Sequence, residues 1–276
     1  MLSITGFIDN AISGIALWER LLIYIAIIAG MAFLARRKHL LTVSGTVTAA
    51  VMGLSILLIG GFSAFFMLLF FFISSSLLGK AIGGRNAIEA KGNERDCFQV
   101  LANGLPAFIA LLLSFMTQHH DAFLIAFACS LAEAEADTFA GDIGFLSHKD
   151  PVSILTFTKV PKGLSGGVTL LGIAGSAAGA MLVSTLFIGT YYLSFPVFAL
   201  IAGSGGIGAL LDSLLGASVQ VHYRDSSGCL TEHRYDSEGR ENERARGIPF
   251  IDNDMVNMIS GLFSGTIGAV FAYIIS

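Results

Sequence analysis

Residues 41–78 read LTVSGTVTAAVMGLSILLIGGFSAFFMLLFFFISSSLL, an apolar stretch without a charged side chain, broken only by the pair Gly60–Gly61. A membrane helix needs about 20 apolar residues, each rising 1.5 Å, to cross a hydrocarbon core about 30 Å thick. The stretch is nearly twice that length. It therefore predicts two spans, Leu41–Ile59 and Phe62–Leu78, with a turn at the glycines.

Working outward, the same criterion places spans at Leu17–Ala35, Phe98–Thr117, Ala122–Gly141, Ser165–Ile188, Tyr191–Ala217 and Met255–Ile275. The expectation is an all-α polytopic transmembrane helix bundle of about eight spans, a single integral membrane domain over residues 1–276. Composition agrees: 54% hydrophobic residues, 13% charged residues and a mean hydropathy of +0.74 exclude an ordinary soluble domain. Leu2 to Leu17 has neither a basic n-region nor an A-x-A-like site, so the first span is expected to stay in the protein. Cys97, Cys129 and Cys229 form no C-x-x-C pair, which argues against a disulfide framework or a zinc site. No nucleic-acid partner is expected.

Lys and Arg concentrate on the cytoplasmic side of membrane proteins. With the loop after the first span cytoplasmic, fifteen of the sixteen basic residues fall on that side, including Arg36, Arg37, Lys38, Lys80, Arg85, Lys91, Arg95, Lys159 and Lys162. Only Arg20 lies opposite, with both termini. An odd number of spans would destroy this asymmetry, so charge and span count support each other. The expected location is the cell (inner) membrane, with the polar face towards the cytoplasm. The longest polar segment, residues 218–254, alternates polar and β-prone residues around a Ser226–Gly228 turn, predicting a short hairpin followed by a mobile charged loop, DSEGRENERARG.

Polar residues inside spans are costly, and each is by default a functional hypothesis. Gln99 and Asn103 are one turn apart at the start of the fourth span, where an interhelical hydrogen bond is the bland alternative. In CSLAEAEADTFAGDIG (129–144), Glu133 and Asp137 share a helical face, with Glu135 and Asp142 nearby. Four carboxylates in a membrane helix require a cation, a basic partner or a watery cleft; for Glu135 and Asp142, a place in the headgroup zone would also serve. The loop KVPKGLSGGVT (159–169) offers Lys159, Lys162, Gly163, Ser165, Gly166 and Gly167, a pattern that can present amides and positive charge to phosphate. Asp212 closes the seventh span, and Asn253 and Asn257 open the eighth, where Asp252 or Asn253 could equally be a helix cap. All these groups converge on the cytoplasmic ends of helices. Carboxylates beside a phosphate-binding loop suit Mg²⁺, which bridges one or two carboxylates to substrate phosphates. The residues alone thus suggest a site for a divalent metal and a phosphorylated substrate, open to lipid.

The strings QVLANG, ADTFAGDIG, KVPKGLSGGVTLLG, GALLDSLLGASVQ and DNDMVNMIS, in this order, resemble the integral membrane proteins of domain-of-unknown-function family 92, the family of transmembrane protein 19 and the plastid phytyl-phosphate kinase. The resemblance runs from about Arg37 to the C-terminus. One departure is visible: the family's A-D-T-x-A-S-E stands here as Ala136 to Asp142, with Gly141 for Ser and Asp142 for Glu. The resemblance implies a kinase that converts an isoprenoid monophosphate of phytyl or geranylgeranyl type to the diphosphate, with CTP as nucleotide triphosphate donor and Mg²⁺ as cofactor. In that reading Glu133, Asp137, Asp142 and Asp212 are metal residues. Asp137, Asp142, Lys159 and Asp212 are catalytic, and Lys159, Lys162, Gly163, Ser165, Gly166, Gly167, Asn103, Asn253 and Asn257 bind nucleotide or phosphate. Phosphoryl transfer needs positioning and charge neutralisation more than a special nucleophile, which fits this inventory. A secondary transporter and a CTP-dependent lipid cytidylyltransferase are the competing expectations.

Overall fold

The computed structural model describes residues 4–82, 94–191, 194–236 and 238–275. Arg85 and Lys91, two of the basic residues counted above, lie outside the described residues. The chain is a helical bundle: α1 (Ile4–Ser13), α2 (Leu17–Arg37), α3 (Val43–Ile82), α4 (Cys97–Met116), α5 (His120–Phe145), α6 (Leu170–Tyr191), α7 (Phe195–Ser218) and α8 (Asn253–Ile275). Among the described residues five short strands sit in the polar loops: β1 (Val152–Ser153), β2 (Gly167–Val168), β3 (His222–Arg224), β4 (Leu230–Thr231) and β5 (Glu243–Arg246). Among the described residues six helices, α2, α3, α4, α6, α7 and α8, are long and apolar enough to cross a membrane.

The stretch that opened the reading is one 40-residue helix on paper and two in space. Gly61 has φ +70° and ψ −168°, a conformation outside the helix that glycine adopts at little cost. The chain reverses there. Arg95 shows this: its carbonyl accepts from Thr42 N at 3.0 Å, before the first half, and its guanidinium donates to Ser75 Oγ at 3.0 Å, near the end of the second. Residues 43–60 and 62–82 would be about 27 and 32 Å long at 1.5 Å per residue, each close to a membrane thickness. The turn is held from outside by α1, whose Asp9 carboxylate accepts from Phe62 N (2.5 Å), Ser63 N (3.1 Å) and Ser63 Oγ (2.6 Å). It thereby caps the second half, as an N-terminal acid should.

α5 is absent from the six because of its acids, yet it is the centre of the bundle. Every residue from Ile125 to Ala136 is buried, and α5 packs against α3, α4, α6, α7 and α8. Small residues on its neighbours let the backbones meet. A Cβ at Gly179 of α6 would lie 2.8 Å from Glu135 O, and one at Gly205 of α7 would lie 2.8 Å from Ala132 Cβ. Because α5 is sheathed by protein, Glu133, Glu135 and Asp142 are buried inside the bundle.

Three expectations are corrected. α6 begins at Leu170, since Ser165 to Thr169 belong to a loop ordered by β1–β2 pairing (Val152 with Val168, Ser153 with Gly167). α7 begins at Phe195, after Ser194, with Pro196 in its first turn. Residues 218–254 carry a three-stranded sheet in the order β4-β3-β5, and β5 comes from the segment expected to be a mobile loop.

Candidate functional site

A cavity of about 490 Å³ opens between the C-terminal end of α5, the 162–169 loop, α6 and α7. Of the residues expected at a site, Asp137, Lys162, Gly163, Ser165, Gly166, Gly167, Asp212 and Asn253 line it. The helical period explains the acids. Residues 133, 137 and 144 recur on one side of α5, whereas 135 and 142 lie roughly 200° away at 100° per residue.

On the cavity side, Asp212 sits within electrostatic reach of Asp137 and Glu133. Asp212 Oδ2 accepts from Ser260 Oγ at 3.0 Å, and from the Asn257 amide at 3.0 Å when that amide is turned to donate. Asn257 therefore supports Asp212 from behind and does not line the cavity. Glu133 is buried against α7 and α8: a Cβ at Gly208 would lie 2.5 Å from its Cγ, and one at Gly261 would lie 3.3 Å from Oε2. Its Oε1 has no hydrogen-bond partner. Three carboxylates gathered with one orphaned oxygen form a strongly anionic locus, which a buried site tolerates only with a cation or bound protons. Among the described residues no three His, Cys, Asp or Glu side chains are close enough together to hold a metal by themselves. Mg²⁺ does not require that, because it keeps waters and takes substrate phosphates beside one or two carboxylates. The all-oxygen donors Asp137 and Asp212 fit such a hard cation.

The loop owes its shape to two glycines with positive φ, Gly163 (+84°) and Gly166 (+83°). At Gly166 the loop presses against the end of α7, where a Cβ would lie 2.5 Å from Ala217 N. Thr169 Oγ1 caps α6 by accepting from Gly172 N at 2.9 Å. Lys162 lines the cavity and is steadied by donating to Ser147 O at 2.5 Å, with its ammonium 5.8 Å from the Phe145 ring centre. An anion in the cavity would meet a lysine, loop amides and a helix N-terminus together.

Five further residues singled out in the sequence belong elsewhere. Asp142 is buried on the opposite side of α5, beside Glu135 and away from the cavity lining; Arg95 acts electrostatically on Glu135 there. Lys159 is mostly exposed and pairs with Asp150 at 3.0 Å. Asn103 donates to Gln99 O at 2.9 Å and lines a separate, largely apolar pocket between α2, α3 and α4. Gln99 itself completes a capping box with Asp96: Asp96 N donates to Gln99 Oε1 at 3.1 Å, and Gln99 N to Asp96 Oδ1 at 2.9 Å. Asp252 is the cap of α8, its carboxylate accepting from Met255 N at 3.0 Å.

Glu232 was not foreseen. It lies just past β4 with its side chain 7% exposed, and its Oε1 accepts from Ser165 N at 3.1 Å and from Ser165 Oγ. Gln220 Nε2 donates to the same hydroxyl at 3.1 Å. The sheet thereby grips the glycine loop from above. His222 lies fully buried beneath it, its Nε2 4.0 Å from Glu232, and burial together with nearby Arg246 pushes its imidazole down to about 4. The alternation around Glu232 signalled the hairpin, but nothing local marked this glutamate as the one facing inward.

The bundle and its acidic, loop-covered cavity define an integral membrane protein with a polar site at one end of its helices. The chain belongs to the integral membrane protein DUF92 family, whose model matches residues 26–265. It is similar to the uncharacterized membrane protein MJ0933 of Methanocaldococcus jannaschii, 32% identical over 257 residues that cover 91% of this chain and 94% of that one. It is also similar to Protein PGR of Arabidopsis thaliana, 28% identical over 280 residues covering 91% and 96% of the two chains. No solved structure matches.

Proposed function

We propose that this protein is a membrane-embedded phosphotransferase that converts an isoprenoid monophosphate to the diphosphate with CTP as donor, in the cell membrane with its site facing the cytoplasm. The proposal includes eight crossings: the two halves of α3, the sheathed α5, and α2, α4, α6, α7 and α8, with both termini on the far side. The observation that carries the reading is the cavity's polarity: Asp137, Asp212, Lys162 and the glycine loop gather at one end, while lipid-facing walls of α6 and α7 form the other.

Asp137 and Asp212 would hold Mg²⁺, with Glu133 supporting the anionic locus. When bound, the metal neutralises charge on the phosphates. The residues of the chain do the rest. Lys162 and the amides of the 163–167 loop orient the anionic groups. Asn253 lines the cavity next to Ser165, whose hydroxyl lies 3.5 Å from Asn253 Oδ1. In the reaction a phosphate oxygen of the lipid bonds to the γ-phosphorus of CTP, the β–γ bridging bond breaks, and CDP leaves.

The test is to incubate the purified protein in detergent with Mg²⁺, CTP and prenyl monophosphates, and to weigh the products by mass spectrometry. CDP with a prenyl diphosphate is the expected result. Pyrophosphate with a CDP-lipid would make the protein a cytidylyltransferase, and the absence of products with CTP or ATP would overturn the enzyme reading.

A further inference from the structure

The cavity does not end at its acidic head. Its lining continues along α7 from Asp212 to Ala202, and along α6 from its capping residue Thr169 to Met181. At 1.5 Å per residue these stretches run about 15 and 18 Å, close to half of a hydrocarbon core about 30 Å thick. The groove is therefore one leaflet deep. The volume of about 490 Å³ is shared between the acidic head and this one groove. Its walls include Ile173, Met181, Ile207 and Leu210, each about half exposed in the chain.

Two α7 glycines of this groove have no explanation in packing. A Cβ at Gly205 or Gly208, on the buried side of α7, would collide with α5 at 2.8 or 2.5 Å; a Cβ at Gly203 or Gly206 would meet nothing within 4 Å. Glycine destabilises a helix interior relative to alanine, so the open side of α7 forgoes stability without a neighbouring helix to accommodate. What the two glycines do is keep the groove wide below the acidic head.

We infer that the α6–α7 groove is the tail site for a single-chain amphiphile with a phosphate head, and that Gly206 and Gly203 set how much of the chain it admits. The inference rests on reading the Lys162 and glycine-loop end as a phosphate site, which supplies the charge complementarity for the head. Gly206 and Gly203 lie about 9 and 13.5 Å from Asp212 along the helix. Filling them should shorten the usable groove in two steps.

The experiment measures equilibrium binding of butyl, decyl and hexadecyl phosphate to the purified full-length protein by native mass spectrometry, without nucleotide, and compares Gly203→Phe and Gly206→Phe with the parent. A Cβ at either position meets nothing within 4 Å, and thermal unfolding of each variant beside the parent checks that the fold is kept. The parent should bind hexadecyl phosphate best, and dipalmitoyl phosphatidate should not compete. Gly203→Phe should weaken hexadecyl phosphate roughly tenfold or more, the scale of overpacking a filled site, while sparing decyl phosphate. Gly206→Phe should weaken both and spare butyl phosphate. Equal losses for all three probes, undiminished hexadecyl binding, or effective competition by phosphatidate would overturn the inference. Failed phosphoryl transfer with a graded binding pattern would remove the kinase reading and leave the groove assignment standing; transfer without grading would do the reverse.

Discussion

Replacing Gly166 by alanine isolates the part of the site that depends on backbone shape alone. Gly166 has φ +83°, and its Cβ would lie 2.5 Å from both Ala217 N and Ala217 Cβ. A left-handed φ costs an alanine about 1–2 kcal/mol. Overlap with a neighbour that is largely backbone adds about 1–3 kcal/mol, since only movement of the loop or of the end of α7 can relieve it. The sum, about 2–5 kcal/mol, should appear as lost stability, as displacement of Ser165 and Gly167 from the cavity, or as both. The assay is reversible unfolding of the purified protein in mixed micelles, alongside CTP turnover. Gly206→Ala is the matched control, because it meets open space and relieves a helical glycine; its stability should stay within about 1 kcal/mol of the parent or rise. A Gly166→Ala protein with unchanged stability and turnover would refute the claim that this loop is held by steric necessity.

Other substitutions test the electrostatics and the residues set aside. Asp137→Asn and Asp212→Asn should each abolish turnover while leaving the thermal midpoint unchanged or raised, because each removes one charge from an anionic cluster; Asp142→Asn and Lys159→Ala should retain turnover. Glu232→Ala removes two hydrogen bonds made by a charged acceptor to Ser165 and should cost about 2–3 kcal/mol with a raised KM for nucleotide, checked by unfolding and steady-state kinetics. His222 carries a pH signature. Its imidazole is pushed from the ordinary 6.5 down to about 4, so the unfolded chain takes up a proton where the folded one does not. Stability should therefore fall as pH drops from about 6.5 to about 4, by up to roughly 3 kcal/mol, and unfolding of His222→Gln should lose that slope.

The long apolar helices were legible because apolar length has one physical meaning in a bilayer, and the Gly60–Gly61 break because a positive φ has to fall somewhere between two membrane-length runs. Asp137 and Asp212 drew notice as polar groups without local compensation, Lys162 and the glycine loop as a pattern of amides and charge, and the fold gathers all of them around one cavity. Asp142 was misplaced although the information was available: five residues from Asp137 is about 140° around a helix, too far for one face. Lys159 and Asn103 look like site residues until their partners, Asp150 and the Gln99 carbonyl, are seen. Glu232 could not be found locally, since its importance depends on where a sheet folds back over a loop 67 residues earlier. The central position of α5 was hidden for a related reason: composition registers its acids and not the five helices that shield them.

That sheath bears on how the protein is made. A carboxylate at the centre of a lone inserting helix costs about 2.5–3.5 kcal/mol on the insertion scale, and α5 holds Glu133, Glu135, Asp137 and Asp142. Such a segment does not partition into lipid on its own merits when it leaves the translocon. It has to be retained there, or enter paired with α4, until α6, α7 and α8 have emerged and closed around it. α5 is thus among the last helices to reach its final surroundings, and a chain truncated before α8 would present an incompletely lodged helix to the membrane's quality control.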